Sequence, residues 1–235
     1  MIEIKNVTKK YGNKTAIKDI SFDIKDGEIF GFIGHNGAGK TTMIKSLVGI
    51  LNFDNGDILI NNKSIKEDPI ACKLEMAYVP DNPDLYENMT AIDFINFVCD
   101  MYETEENIRK ENIEKYSKMF EMENKLNDDI SSFSHGMKQK VALISALAHN
   151  PKVLIMDEPF VGLDPKAVYD MKELMKQMAK DGKTVFFSTH ILDVAEKLCD
   201  RVAIIKNGNI VKIGKMKDIK GDSSLEEVFL ELEEK

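Results

Sequence analysis

The sequence predicts an α/β fold: a largely parallel sheet with helices on its faces, an antiparallel β subdomain at its N-terminal end and an inserted helical subdomain. Three observations predict it. Apolar runs at residues 29–33, 153–156 and 184–188 lack the alternation of a half-exposed strand, so both faces of those strands need cover. Ile2, Ile4 and Val7, and later Ile20, Phe22 and Ile24, do alternate with polar residues, as in strands with one wet face. From about residue 90 to 120 the apolar spacing is helical instead, at Ile92, Ile95, Phe97 and Val98 and at Ile108, Ile113, Tyr116 and Phe120.

In chain order, Lys9-Lys10-Tyr11-Gly12 reads as a loop between the first two strands, and Asp26-Gly27 as a turn. Ile29, Phe30, Phe32 and Ile33 form a buried strand that runs into Gly34-His35-Asn36-Gly37-Ala38-Gly39-Lys40-Thr41-Thr42. A helix follows, with Met43, Ile44, Leu47 and Val48 on one face and Gly49 as its stop. Strand, glycine loop and helix are the context of a P-loop, and Gly34 to Thr41 matches G-x-x-x-x-G-K-[ST]. Glycines let backbone N–H groups converge on phosphate oxygens where a Cβ would intrude, and the helix start adds its positive end. Lys40 is placed to reach the terminal phosphates, and the hydroxyl of Thr41 to meet Mg²⁺ beside Thr42. The expected fold is therefore a P-loop NTPase core.

Asn55-Gly56-Asp57 reads as a turn before a strand at 58–60, and 76–79 as a strand ended by Pro80. Asp81-Asn82-Pro83-Asp84 has the composition of irregular backbone. Thr90 and Thr104 are N-cap candidates for the two inserted helices, and Ser134 for a third that buries Val141, Leu143, Ile144, Leu147 and Ala148. The strand at 153–156 delivers Asp157 and Glu158 at its C-terminal end, the ligand edge of a parallel sheet. Gly162-Leu163-Asp164-Pro165 is a tight entry to a helix at 166–180. His190 stands just past the strand at 184–188, a hairpin turns at Asn207-Gly208, and Ser223 or Ser224 caps a last helix at 225–232.

Composition bounds the function. One large domain accounts for 235 residues, divided into a core at about 1–80 and 151–220, helices at about 81–150 and a terminal helix at about 222–235. A net charge of −8 argues against nucleic acid as a partner. Cys72, Cys99 and Cys199 are odd in number and far apart, which favours a reducing cytosol over disulfides or zinc. No apolar run is long enough to span a bilayer, so a membrane function requires spans supplied by another chain.

The motifs in this order resemble the ATP-binding cassette family, the motor subunits of ABC transporters. GHNGAGKTT resembles its P-loop, FSHGMKQK at 133–140 its signature, VLIMDEP at 153–159 its acidic strand, GLDP its D-loop and Ser188-Thr189-His190 its switch histidine. The likeness spans nearly the whole chain. It implies that Tyr11 stacks on adenine, that Asp157 holds Mg²⁺ through water, that Glu158 is the general base and that His190 touches the γ-phosphate. It also implies that Ser134, Gly136 and Met137 serve a nucleotide held by a second nucleotide-binding subunit, homomeric or heteromeric, in a head-to-tail dimer. A transmembrane permease is the further implied partner, with the chain peripheral on the cytoplasmic face of the membrane; the stretch Leu225-Glu226-Glu227-Val228-Phe229-Leu230 resembles the tail of exporter ATPases, so an exporter ATPase is expected, with an importer ATPase or a soluble cassette ATPase on a non-membrane partner as the alternatives. His135 and Met137 depart from the family signature, and Asp81 stands where the family has a glutamine near the metal. Asn124-Lys125-Leu126-Asn127 lacks the carboxylate with which a GTPase reads guanine.

Overall fold

The computed structural model describes residues 1–234, with side chains through residue 232; residue 235, the end of the expected terminal segment, lies outside the described residues. Strands β1 (Ile2–Tyr11) and β2 (Lys14–Ile24) pair antiparallel, and β1 also pairs with β4 (Asn55–Ile60). This is the expected N-terminal antiparallel subdomain. Tyr11 is the last residue of β1 and not part of a loop; the turn is confined to Gly12, with φ 56°, and Asn13. Asn55, Gly56 and Asp57 likewise belong to β4, because Asp57 pairs with Lys5 and Asn55 with Thr8. The two-residue β5 (Lys63–Ser64) completes the sheet.

The larger sheet is built on β3 (Ile29–Ile33), followed by α1 (Lys40–Leu47). After α2 (Pro69–Glu75), β6 (Met76–Val79) forms one edge of this sheet. The inserted helices are α3 (Ala91–Met101) and α4 (Glu106–Met119), and α5 (His135–Ala148) returns the chain to the core. Thr90 caps α3 by accepting a hydrogen bond from Asp93 N at 3.2 Å. Thr104 does not cap α4; the helix starts later, and Glu105 takes that place without a side-chain bond. Ser134 Oγ accepts from Met137 N at 3.3 Å, as expected of a cap on α5.

The chain then runs through β7 (Val153–Asp157), α6 (Pro165–Lys180), β8 (Thr184–Thr189), α7 (Leu192–Leu198), β9 (Arg201–Lys206), β10 (Asn209–Lys215), α8 (Met216–Lys220) and α9 (Leu225–Glu234). Strand order is β10-β9-β3-β8-β7-β6, parallel except for β10. Ser224 and Glu227 form a reciprocal capping box on α9, with Glu227 N donating to Ser224 Oγ and Ser224 N to Glu227 Oε2.

Two apolar cores explain the uninterrupted runs. On β3, Phe30 and Phe32 join a core with α1 and the antiparallel strands, while Ile29 and Ile33 join one with α5, α6 and α7. On β7, Val153 and Ile155 face the first core, and Leu154 and Met156 the second. Each strand alternates between two apolar faces, so no polar residue punctuates it.

Candidate functional site

The parallel strands deliver their C-terminal ends to one edge of the sheet, and the loop after β3 is folded there by close packing. A β-carbon on Gly34 would stand 2.6 Å from the Ile205 carbonyl oxygen, and one on Gly39, at φ 114°, 2.8 Å from that of Ala16. Gly37 lies at φ 83°. Side chains are therefore excluded where the loop must stay thin. Gly208, at φ 77°, braces the loop from outside: its N–H donates to Ala38 O at 2.9 Å, and its carbonyl accepts from Lys18 N at 2.8 Å.

Lys40 opens α1 and its ammonium is buried, donating to Gly34 O at 2.7 Å and His35 O at 3.3 Å. Its Nζ also lies 3.1 Å from Glu158 Oε1, an ion pair by distance that lacks the alignment of a hydrogen bond. The other oxygen of Glu158 accepts from His190 N at 3.2 Å and lies 2.9 Å from His190 Nδ1. Two residues far apart in sequence, Lys40 and His190, thus converge on one carboxylate. Glu158 itself holds a left-handed φ of 49°, unusual away from glycine, and its N–H is fixed by the carbonyl and hydroxyl of Ser188. Asp157 is buried beside it and accepts a hydrogen bond from Ser188 Oγ.

These elements border a cleft of about 430 Å³. Of the expected residues, Tyr11, Asn36, Gly37, Gly39, Lys40, Thr41, Thr42, Asp81 and Glu158 line it. Gly34, His35 and Ala38 contact the cleft from behind through backbone carbonyls that accept from Lys40 and Gly208, whereas Asp157 accepts from Ser188 and His190 contacts Glu158. Tyr11 is half exposed with Lys9 Nζ 5.3 Å from its ring centroid. Burial, then the negative charges of Asp157 and Glu158, push the Asp81 carboxyl above its ordinary value.

Lys14, Thr15, Ala16, Asn207 and Gly208 also line the cleft, and the sequence reading missed them as site residues. Asn207-Gly208 was visible only as a hairpin turn; its place against Ala38 depends on the register of β9 beside β3. Ser134, Gly136 and Met137 lie elsewhere, in a separate groove of about 260 Å³ that they share with Lys140, Gly162, Leu163 and Asp164. Lys140 Nζ reaches Asp164 Oδ2 at 3.0 Å across that groove. The Ala167 N–H first, then Lys140, hold the Asp164 carboxyl below its ordinary value.

His149 closes α5, stacked on Tyr102 with ring centroids 3.7 Å apart, and burial lowers its pKa to about 4. It is a packing residue. Among the described residues no helix is long and apolar enough to cross a membrane, and no three His, Cys, Asp or Glu side chains gather as metal ligands.

A glycine loop leading from a parallel strand into a helix, with its lysine facing the acidic end of a nearby strand, defines a P-loop NTPase. The ABC transporter family matches residues 17–161. The chain is 34% identical to the ABC-type transporter ATP-binding protein EcsA of Bacillus subtilis, covering 99% of this chain and 96% of that one. It is 36% identical to the linearmycin resistance ATP-binding protein LnrL of the same organism, over 93% of this chain and 70% of that one. A solved ATP-binding subunit of an ABC transporter superposes with a TM-score of 0.96 at 33% identity, covering 99% of both chains. A dimeric ATP-binding cassette in a post-hydrolysis state bound to ADP and Pi gives 0.83 at 28% identity, over 92% of this chain and 99% of that one. The chain belongs to the ABC transporter family.

Proposed function

We propose that this chain is the Mg²⁺-dependent ATPase subunit of a membrane exporter, working as a head-to-tail dimer on a separate permease. The observation that carries the enzymatic part is the convergence of Lys40 and His190 on Glu158 at 3.1 and 2.9 Å beside the P-loop. The excluded side chains at Gly34 and Gly39 fit a polyphosphate lying against backbone N–H groups. Tyr11 offers an open ring face for adenine at the cleft mouth. Lys40 offsets phosphate charge, while Thr41 in the cleft and Asp157, buried at the end of β7 before Glu158, are the residues that would hold Mg²⁺, with Asp81 at the rim. Among the described residues no three His, Cys, Asp or Glu side chains gather as a metal site, so the Thr41 hydroxyl and the Asp157 carboxylate would hold Mg²⁺ only together with oxygens of the nucleotide. When bound, Mg²⁺ supplies positive charge against the phosphate oxygens.

Glu158 accepts the proton of the attacking water, and His190 orients that carboxylate through its N–H and ring and is the histidine that would meet the terminal phosphate. Ser134, Gly136 and Met137, remote from their own cleft, close over the nucleotide of a second subunit. The dimeric relative bound to ADP and Pi supports this arrangement. Docking to the permease falls to the inserted segment, where Tyr86, Phe97 and Met101 leave an exposed apolar patch. Export is favoured by the likeness to a linearmycin resistance ATP-binding protein. Phosphate release from ATP by the purified chain, with and without Mg²⁺, tests the enzyme, and Lys40→Ala should abolish it. Equal hydrolysis by Lys40→Ala would remove the cleft from consideration; co-purification of a membrane-spanning protein tests the rest.

A further inference from the structure

We infer that Lys9 is a positioning residue for the ring of Tyr11, covering one face of it so that the other is presented to the base of the nucleotide. This rests on the reading in which Tyr11 stacks on adenine. Lys9 and Tyr11 stand two residues apart on β1, so their side chains leave the same face of the strand. The Lys9 ammonium lies over the Tyr11 ring, 5.3 Å from its centroid, within the range of a cation–π contact. Among the described residues no carboxylate pairs with this ammonium, so the ring is its counterpart. Lys14, directly across from Tyr11 on β2, lines the cleft together with the ring, whereas Lys9 does not. The cation therefore backs the ring from outside the cleft, and the face turned inward is the one left open.

The strands beneath the ring are fixed relative to the phosphate loop. The turn at Gly12 and Asn13 joins Tyr11 to Lys14, and β2 then passes so close to the loop that a β-carbon on Gly39 would stand 2.8 Å from Ala16 O and 3.0 Å from Ile17 Cγ2. Ile17, fully buried, is the residue across from Lys9. Packing thus holds the backbone, while the ring itself stands half exposed at the cleft mouth. Lys9 steadies it. Two effects of the cation act in the same direction. It restricts rotamers that the ring would otherwise lose on binding the base. It also draws π density toward itself, and since stacked rings repel through their negative faces, a ring backed by a cation stacks more favourably on a purine.

Equilibrium titration of the purified full-length chain with Mg²⁺ and ADP, which binds without turnover, tests this in Lys9→Met, Lys9→Arg, Tyr11→Leu and the double variant of Lys9→Met with Tyr11→Leu. Lys9→Met keeps most of the stem and removes the charge, and it should weaken ADP binding about two- to fivefold. Lys9→Arg should bind as the wild type does. In the Tyr11→Leu background the Lys9→Met change should have no further effect, because the ring through which it acts is gone. An equal loss with and without the tyrosine would make Lys9 a charge acting on the phosphates and overturns the inference. A Lys9→Met chain that binds like wild type overturns it too, as does a Lys9→Arg chain that binds like Lys9→Met. If Tyr11→Leu leaves ADP binding unchanged, or the wild type binds no ADP, the stacking assignment of Tyr11 falls and the role of Lys9 with it. A loss in Tyr11→Leu without one in Lys9→Met removes the role of Lys9 alone.

Discussion

Replacing Glu158 by glutamine keeps the shape of the side chain and removes one charge, so its consequences follow from the contacts around it. The carboxylate accepts from His190 N at 3.2 Å, lies 2.9 Å from His190 Nδ1 and faces Lys40 Nζ at 3.1 Å. An amide has a single acceptor oxygen. If that oxygen stays with the His190 donors, the NH₂ group points at the Lys40 ammonium, and the reverse orientation sets donors against His190. Lys40 retains the carbonyls of Gly34 and His35, so the folded state should lose about 1–2 kcal/mol, or roughly 2–8 °C in Tm. The catalytic loss should be larger. An amide takes up no proton from water, and loss of a general base costs about 10²–10⁴ in rate, or about 3–5 kcal/mol of barrier. Glu158→Gln should therefore bind ATP, release phosphate at least about a hundredfold more slowly, and accumulate as an ATP-bound dimer. Single-turnover phosphate release and light scattering with and without ATP measure these effects. Wild-type turnover would refute the general-base assignment, and a monomer under both conditions would refute the shared site.

Other substitutions probe the supports of the cleft. Gly208→Ala would place a β-carbon 2.5 Å from the Ala16 carbonyl oxygen at φ 77°, so it should cost about 2–4 kcal/mol in stability and weaken ATP binding, as read by denaturant titration and nucleotide binding. Asp81→Asn should leave ATP affinity within about 1 kcal/mol, because attraction to Mg²⁺ and repulsion from phosphate offset each other, yet alter hydrolysis stimulated by the permease. A large loss of ATP binding by the isolated subunit, with stimulation intact, would make Asp81 an ordinary metal ligand. His149 gives a pH signature: burial lowers its folded pKa from 6.5 to about 4, so the unfolded chain binds the proton first as pH falls. Its contribution is full above 6.5 and is lost between there and about 4, the loss having reached about 2 kcal/mol at pH 5. His149→Phe, which keeps a ring on Tyr102, should remove that part of the pH dependence of unfolding.

The chemistry was more legible in the sequence than its surroundings were. Lys40, Thr41, Asp157 and Glu158 stand in local patterns set by strand ends and a glycine loop, and local pattern is what a sequence displays. Lys14, Thr15, Ala16 and Asn207 line the same cleft only because β2 and the β9–β10 turn fold over the loop, a consequence of tertiary register. The short helices α2, α7 and α8 escaped notice because five to seven residues do not establish a helical period. Thr104 misled as a cap because its residue type is right but α4 starts two residues later, at Glu106. The separation of Ser134 from the cleft was foreseen only through family resemblance.

Strand β3 serves as a wall common to two rooms, with Phe30 and Phe32 papering one side and Ile29 and Ile33 the other. Neither room can be emptied while the wall stays upright, so the two packed volumes should melt together as one cooperative unit even though no buried residue belongs to both. Native-state hydrogen exchange should find its slowest amides on β3, opening only with the whole molecule. The P-loop hangs from the end of this strand. It is thereby anchored to the last part of the protein to yield, while Tyr11, at the end of β1, and Asp81, two residues past β6, meet the cleft from the ends of other strands.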